Sequence, residues 1–491
     1  MRKSAMAGLA VLGAAAAGAA GAGAVLSDVD RRNQLERQLR VWRLTARRGL
    51  HWGIFYVRGR RADEAKRAEL EEKFAIKTAQ DVAEVLGGMK GAIMKAGQMI
   101  SFVAEGLPPE AQEALATLQA EVPPMAPSLA ESVVRAELGD DPSKLFLDWD
   151  PEPIAAASIG QVHKAVLHDG RIVAVKVQYP GIDKAIKGDL DNAEMLYGLF
   201  ASFALKNMDV KALVDELRAR MADELDYNLE ARLQQEFADR YRGHPFIHVP
   251  DVVFERSSTR VMTSEWVDGL SWAQFEEQAT DAHKQRASEI LFRFAEGSIW
   301  HHRVFNGDPH PGNYRFRLGG PVTFLDFGLV KKWGPGELEG LAPTLDAALA
   351  QDPEAMDRAM ISAGFLPAKH TLTAQRVYDY VSTPWYPFQR DYFEYTREFV
   401  GATIEKMIDI QGEYGDVIRQ LNMPPSYVIL DRVVWGLSAL WGRMHARGNW
   451  NALLAEYRKG APPSTPLGKI EEEWREAKQD TTGTAAAPSA S

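Results

Sequence analysis

The chain has no cysteine among its 491 residues. Disulfide bonds, thiolate zinc sites and cysteine nucleophiles are therefore excluded together. The chain also has no excess of positive charge, and its net charge of −10 at pH 7 argues against a nucleic-acid-binding protein. Its composition, 46% hydrophobic and 25% charged residues, is ordinary for a globular protein, and its length allows two or three domains.

Strongly apolar residues are scarce at the N-terminus. The uncharged run from Ser4 to Leu26 is mostly Ala and Gly, yet it is about as long as the ~20 residues that span a bilayer. A membrane anchor, a cleaved signal peptide and a disordered extension all remain open. Residues 31–61 contain ten arginines, no lysine and one acid, and such charge is retained on the cytoplasmic side. We expect the part of the chain that follows this segment to lie on the cytoplasmic side of a membrane, in a bacterial-type cell.

Two alternating segments predict a β-hairpin. Gln161–Leu167 and Arg171–Gln178 flank the turn His168-Asp169-Gly170. Further strands are predicted at Val249–Phe254 and Arg260–Trp266, and most of the later sequence has a helical pattern. A small β-rich part followed by a larger helical part is the order of the bilobal protein-kinase fold, so we predict an α+β fold of that type.

Composition and the predicted helices and strands divide the chain into six segments. The predicted segments are an anchor or signal-like segment (1–27), a basic helical linker (28–79), a helical extension (80–140), an N-lobe (141–266), a C-lobe (267–460) and a disordered tail (461–491).

Three motifs in kinase order indicate a nucleotide site. Lys176 ends the strand-like tetrapeptide Val-Ala-Val-Lys, and in kinases such a lysine binds phosphates and pairs with a helix-borne glutamate, for which Glu224 is the candidate. In the turn Asp-Pro-His-Pro-Gly-Asn, Asp308 is the expected catalytic acid and Asn313 a magnesium ligand. Asp326 of Asp-Phe-Gly is the expected primary ligand of Mg²⁺. The predicted cofactors are ATP and Mg²⁺.

Further motifs give a family resemblance. Ala155–Ser158 stands where kinases have a glycine-rich loop, and Lys95–Gln98 reads Lys-Ala-Gly-Gln on an upstream helix. With Glu224–Asp226 and Asp308–Asn313, these motifs resemble the AarF/UbiB family of atypical kinases, which includes the ADCK proteins of mitochondria and plastids. The resemblance covers roughly residues 80–335. It implies a kinase-like fold with an added N-terminal helical (Lys-x-Gly-Gln) domain whose helix lies over the nucleotide cleft.

The resemblance also implies roles for individual residues. The catalytic group would comprise Asp308, Lys176 and Glu224; the nucleotide-binding group Ala155, Ala156, Ala157, Ser158, Lys176 and Glu265; the metal ligands Asn313 and Asp326; and the network at the Lys-x-Gly-Gln helix Lys95, Gln98, Asp226 and Glu230.

The alanine-rich loop and two departures from the family bear on function. Methyl groups limit the positive φ angles and close backbone approach that glycines allow, which favours restrained phosphoryl transfer. Asn306-Gly307 stands where family members often have His-Ala. Bacterial members that resemble UbiB usually carry C-terminal membrane spans, whereas the charges within Pro424–Met444 of this chain prevent one. The aromatic segment from Trp385 to Phe399 is interpreted either as helix-packing core or as a lipid contact.

Three functions remain open. The first is an ATPase or kinase-like regulator of isoprenoid-quinone or other lipid metabolism at a membrane. The second is a nucleotide-gated lipid-binding module that transfers no phosphate, and the third is a restrained protein kinase. The expected partners are ATP or ADP and an anionic lipid or prenylated quinone precursor, with no nucleic acid.

Overall fold

The computed structural model of this chain describes residues 125–157, 159–182, 222–409, 412–422 and 424–484. All of these residues belong to one compact unit. The predicted anchor, the basic linker, Lys95, Gln98 and Ser158 lie outside the described residues. Within the described ranges, no helix has the length and apolarity needed to cross a membrane.

The N-lobe is built on a five-stranded antiparallel sheet. Its strands are β1 (Asp148–Trp149), β2 (Ala155–Ala157), β3 (Gly160–Val166), β4 (Ile172–Gln178) and β6 (Val261–Glu265). The hairpin predicted from alternating residues is confirmed, since β3 and β4 pair directly across the predicted turn. Strand β4 lies between β3 and β6, so the lysine strand is central in the lobe.

One helix assigned to the N-terminal extension belongs to the N-lobe. Helix α1 (Pro127–Leu138) is followed by the short α2 (Pro142–Leu145), and its buried face contributes Val133 and Val134 to the core beneath the sheet. Valines at alternate positions of β4 supply the other side of this core. The boundary predicted at residue 140 was wrong because the apolar stripe of α1 covers the sheet.

The segment between the lobes contains α3 (Tyr227–Arg240) and β5 (Ile247–His248). The strand predicted at Val249–Phe254 was wrong: after β5 the chain makes only an isolated bridge at Val252, then a 3-10 turn begins at Phe254. Pro250 explains the interruption, because proline has no N–H to donate to a strand ladder. The strand predicted at Arg260–Trp266 is β6.

The C-lobe is mostly helical. Its helices are α4 (Trp272–Gln278), α5 (Asp281–Glu296), a π-helix (Gly297–His302), α6 (Glu337–Ala350), α7 (Pro353–Ser362), α8 (Ala374–Val381), α9 (Arg397–Ile408), α10 (Gly415–Ile418), α11 (Val428–Met444) and α12 (Trp450–Lys459), with 3-10 turns at Pro311–Asn313, Thr383–Gln389 and Pro425–Tyr427. Its strands are β7 (Val304–Asn306), β8 (Tyr314–Phe316), β9 (Val322–Phe324), β10 (Val330–Lys332), β11 (Phe393–Glu394) and β12 (Arg447–Gly448). Strand β5 joins this lobe by pairing in parallel with β9.

The aromatic segment contributes to the C-lobe core. Phe388 and Tyr395 are buried, and the Tyr395 ring lies 5.2 Å from the rings of both Trp441 and Trp450. Tyr392 is exposed. Core packing is therefore the role that the structure gives to most of this segment.

The predicted disordered tail is largely a helix. Residues Pro466–Thr484 form α13, which begins with a proline at its first position. Its Glu471 is buried and accepts a 2.9 Å hydrogen bond from the guanidinium of Arg293. The prediction was wrong because the Pro, Ser, Thr and Ala residues that suggested disorder lie at the two ends of the segment, whereas its centre carries helix-forming charged residues.

Gly160 marks a close backbone approach in the N-lobe. A Cβ at this position would overlap the carbonyl oxygen of Val177 and lie 3.0 Å from the hydroxyl of Tyr227. We expect Gly160→Ala to lower the free energy of unfolding by about 2 kcal/mol through overpacking. Gly401→Ala is the matched control, because Gly401 lies within α9 with nothing near its absent Cβ, and it should be neutral or stabilising. Denaturant unfolding of both variants checks this, and equal stability would contradict it.

Candidate active site

The lysine of the central strand pairs with a glutamate from the first turn of α3. The Lys176 ammonium lies 2.7 Å and 2.8 Å from the two carboxylate oxygens of Glu230, and both side chains are largely buried. The partner that the sequence predicted, Glu224, was therefore wrong, and Glu230 had been assigned to a different network. Glu224 precedes the N-terminus of α3, whereas Glu230 lies within its first turn and faces β4.

Glu224 lies instead beside the Asp-Phe-Gly motif. A Cβ on Gly328 would be 3.1 Å from Glu224 Oε1 and 3.3 Å from Asp326 Oδ1, so the two carboxylates flank this glycine. Asp226 caps α3, with its side chain accepting a 3.0 Å hydrogen bond from the Asn228 N–H. A substitution at Gly328 would push against both carboxylates.

These carboxylates control the charge of Lys176. Burial alone would lower the pKa of Lys176, but Glu230, Asp326 and Glu224 outweigh that effect and raise its pKa well above the usual value. Burial raises the pKa of Glu230, and the Lys176 ammonium opposes that rise. The ammonium also lies 4.8 Å from the centre of the Tyr227 ring. Lys176 is therefore expected to be protonated at neutral pH.

The catalytic loop is fixed by contacts to both oxygens of Asp308. Its Oδ2 accepts a 3.0 Å hydrogen bond from the Asn313 amide, and its Oδ1 forms an ion pair with Arg432 of α11. The Asn313 amide nitrogen thereby has a protein partner, which orients its oxygen as the group available to a metal. Asp308 and Asn313, predicted to act together, are in direct contact.

Asn306 and Asn313 connect the catalytic loop to the Asp-Phe-Gly strand. Asn306 accepts from the Asp308 N–H at 2.8 Å and donates to the Asp326 carbonyl at 2.5 Å. The Asn313 carbonyl accepts from the Leu325 N–H at 3.0 Å. The side chain of Asp326 accepts a 2.9 Å hydrogen bond from the Gly328 N–H. Asp308, Asn313 and Asp326 therefore belong to one continuous set of hydrogen bonds that includes Asn306.

The register of the N-lobe sheet shows which residues share the face of Lys176, which we call the roof of the cleft between the lobes. Lys176 pairs with Val162 of β3 and with Met262 of β6, and residues directly opposite share one face of a sheet. By the same register Ala174 pairs with Ser264. None of these four residues was predicted. The alternation of the hairpin assigns Val162 and Ala174 to the face of Lys176, whereas Met262 and Ser264 follow only from the pairing of β6 with β4.

Glu265 ends β6 where the N-lobe meets the C-lobe. Its carboxylate lies 3.4 Å from His248, and this contact lowers the pKa of Glu265. The side chain is thereby bound to a C-lobe strand. The nucleotide contact expected at Glu265 stays a prediction.

The alanine-rich segment is extended. Ala155, Ala156 and Ala157 form β2 and pair with Val162, Gln161 and Gly160 of β3. None of the three has a positive φ. The methyl groups thus lie on a regular hairpin, which limits how closely the backbone can approach phosphates.

The two metal ligands that the sequence predicted supply one carboxylate oxygen and one amide oxygen, which are ligand types that Mg²⁺ accepts. Across the described ranges, no group of three or more His, Asp or Glu side chains could hold a metal ion. Mg²⁺ typically uses one or two carboxylates and keeps water and phosphate oxygens as its other ligands. The pair Asn313 and Asp326 fits this requirement.

The fold and these residues define a protein-kinase-like protein. Residues 117–360 match the model of the ABC1 atypical kinase-like domain. The chain belongs to this family, the AarF/UbiB/ADCK group that its motifs resemble, so that prediction and the predicted kinase-like fold are confirmed.

Similar proteins come from plants and bacteria. ACTIVITY OF BC1 COMPLEX KINASE 3, chloroplastic, of Arabidopsis thaliana is 30% identical over 403 residues, covering 80% of this chain and 54% of the relative. Synechocystis protein sll0005 is 32% identical over 286 residues, covering 58% and 42%. The chain spans about half the length of these curated relatives. The solved complex of Mycobacterium tuberculosis Rv3197 with erythromycin matches with a TM-score of 0.59 and 31% identity, covering 81% of this chain and 98% of that one.

Proposed function

We propose that this protein binds Mg-ATP and hydrolyses it, or transfers its terminal phosphoryl group to a small or lipid-like acceptor at a membrane. The supporting observation is the continuous set of contacts that joins Asp308, Asn313 and Asp326, with Lys176 close enough to Asp326 for its pKa to respond. A chain that only presented a surface would need none of these groups in contact.

Each residue has a distinct role in this proposal. Lys176 would contact the phosphates while Glu230 keeps its ammonium oriented. Mg²⁺, when bound, would neutralise developing phosphate charge, and Asn313 and Asp326 would hold it. Asp308 would orient the attacking hydroxyl or water and accept its proton.

Two features favour hydrolysis or a small acceptor over a protein substrate. The alanine strand β2 restricts the phosphate cradle. The segment from Gly328 to Glu337 passes directly through β10 into α6, which leaves little chain for the peptide-docking surface of a protein kinase. We propose isoprenoid-quinone or other lipid metabolism as the setting, with the body on the cytoplasmic side of the membrane.

A nucleotide-gated binding module is the second candidate. The specific observation in its favour is that a solved relative was captured with erythromycin, an organic molecule rather than a protein. In this alternative the same residues would bind Mg-ATP, and nucleotide binding would change affinity for an apolar ligand without turnover.

The proposal is tested with the full chain by calorimetry and phosphate release. We expect Mg-dependent ATP binding, and we expect Asp326→Asn to reduce turnover by roughly 100-fold or more, because a carboxylate ligand of the metal is lost. Asp391→Asn, an exposed aspartate in the C-lobe, is the matched control and should behave as the parent.

Four outcomes decide between the candidates. Turnover stimulated by anionic liposomes or a prenylated phenol, and lost in Asp326→Asn, supports the enzyme. Nucleotide binding without turnover supports the module. Stoichiometric phosphorylation of a protein partner would contradict the small-acceptor proposal, and absence of magnesium-dependent binding would contradict both candidates.

A further inference from the structure

The helix that carries Glu230 is held at both ends. At its N-terminus, the Tyr227 N–H donates a 3.0 Å hydrogen bond to the Thr259 carbonyl. At its C-terminus, the Lys478 ammonium donates to the carbonyls of Arg240 and Asp239 at 2.5 Å and 3.2 Å. A cation at this position complements both the unpaired carbonyls and the helix dipole. Lys478 belongs to α13, more than 200 residues further along the chain.

Helix α13 is anchored by a buried ionic cluster in the C-lobe. The Arg293 side chain has no exposure and donates to Glu289, Glu456 and Glu471 at 2.8 to 2.9 Å. Burial would raise the pKa of Glu471, but the hydrogen bonds and charges around it lower the pKa overall, so this carboxylate remains charged. Removing one member of such a cluster leaves buried charge uncompensated, which makes the position of α13 costly to change.

Aromatic contacts extend the link from that anchor to Lys478. The Trp474 ring lies 4.4 Å from the His244 ring, just beyond α3, and Lys478 lies 4.9 Å from the Trp474 ring. Glu471, Trp474 and Lys478 therefore lie on one face of α13, and the last two contact the C-terminal end of α3 and the residues just beyond it. The contact involves a ring, a cation and two carbonyls rather than a single surface pair.

The segment after Asp-Phe-Gly lacks a phosphorylatable side chain. From Gly328 to Glu337 the sequence is Gly-Leu-Val-Lys-Lys-Trp-Gly-Pro-Gly-Glu, with no Ser, Thr or Tyr. In protein kinases, phosphorylation of this segment helps to position the helix that bears the lysine's glutamate. Phosphorylation within residues 328–337 is therefore excluded as a means of positioning α3.

We propose that α13 positions α3, so that the Lys478 contact helps to hold Glu230 against Lys176. Helix α3 is about 20 Å long, and a rigid helix displaced at one end moves at the other. Lys478 is thus a positioning residue acting through α3. The expected effect on turnover rests on the proposed function. The expected effect on the position of α3 does not.

The experiment compares Lys478→Met, Lys478→Arg and Lys469→Met in the full chain. Lys469 is an exposed lysine on the same helix and provides the matched loss of charge. We expect amide hydrogen exchange in residues 227–240 to be roughly fivefold faster in Lys478→Met, because the cation at the helix end is lost. Exchange in the same residues should stay slow in Lys478→Arg, which keeps the positive charge. The exchange rates of Lys469→Met should equal those of the parent.

Turnover provides the second measurement. The kcat of Lys478→Met should fall about threefold to tenfold, with a smaller change in KM, since Glu230 orients a group that acts on phosphate during reaction. Unchanged exchange in residues 227–240 would overturn the inference, as would equal acceleration in the β3–β4 hairpin, which would mark general destabilisation. If the parent binds no Mg-ATP, the proposed function fails, while the exchange measurement still decides the role of Lys478.

Discussion

Glu230→Gln is expected to reduce ATP turnover by roughly 10- to 100-fold, the size that loss of a charge-assisted hydrogen bond predicts. Glu230 makes two contacts below 3 Å with Lys176, and both side chains are mostly withdrawn from water. The variant should also lose about 3 kcal/mol of stability, because a buried ammonium would lose its main counter-charge. Phosphate release and denaturant unfolding measure the two effects.

The matching experiment replaces Glu224 with glutamine. Because Glu224 lies beside Asp326, we expect Glu224→Gln to change the magnesium dependence of binding more than protein stability. A double-mutant cycle with Lys176→Met should show strong coupling to Glu230 and weaker coupling to Glu224. The reverse order of coupling would refute the assignment of the ion pair.

Arg432→Met is expected to lower kcat by roughly 10- to 100-fold while leaving the nucleotide Kd within about threefold of the parent. Arg432 holds one oxygen of Asp308, and Asn313 holds the other. Without Arg432 the Asp308 carboxylate loses one of its two side-chain contacts, whereas Lys176 and Asp326, the proposed phosphate and metal ligands, keep their own partners Glu230 and Gly328. Steady-state kinetics and nucleotide calorimetry distinguish the two parameters.

Arg432→Lys and Arg443→Met complete this test. Lysine cannot reproduce the planar guanidinium, so we expect it to recover only part of the activity. Arg443 lies on the same helix and pairs with Glu276, away from the catalytic loop. Turnover of Arg443→Met should equal that of the parent. A loss of nucleotide affinity as large as the loss of kcat in Arg432→Met would contradict a role confined to Asp308.

The sequence predicted those parts of the site whose signals are local. Lys176 follows from an alternating strand, and Asp308, Asn313 and Asp326 follow from short motifs in fixed order. Sequence order could not select between Glu224 and Glu230, because both lie near the start of α3 and only the direction of the helix decides which one faces β4. Side-chain direction on a helix depends on tertiary packing.

The elements that sequence reasoning missed depend on contacts between distant segments. Arg432 reaches Asp308 across 124 positions, from a helix whose pattern indicates only burial. Helix α13 is fixed by Arg293, which is 178 positions from Glu471. Composition alone made that region look disordered, since it does not reveal that a buried arginine needs carboxylates from elsewhere in the chain.

The link through Asn306 has a consequence for inhibitor design. Asn306 holds both the Asp308 amide and the Asp326 carbonyl, and the adjacent Phe327 is fully buried with its ring 4.8 Å from that of Phe237. Moving Phe327 out of the core would disrupt the hydrogen bond from Asn306 to the carbonyl of the neighbouring Asp326. It would also expose a ring whose burial contributes on the order of 2 kcal/mol or more. Compounds that enter kinase clefts by displacing this phenylalanine are therefore poor starting points, and scaffolds that occupy the cleft with Phe327 in place are preferable.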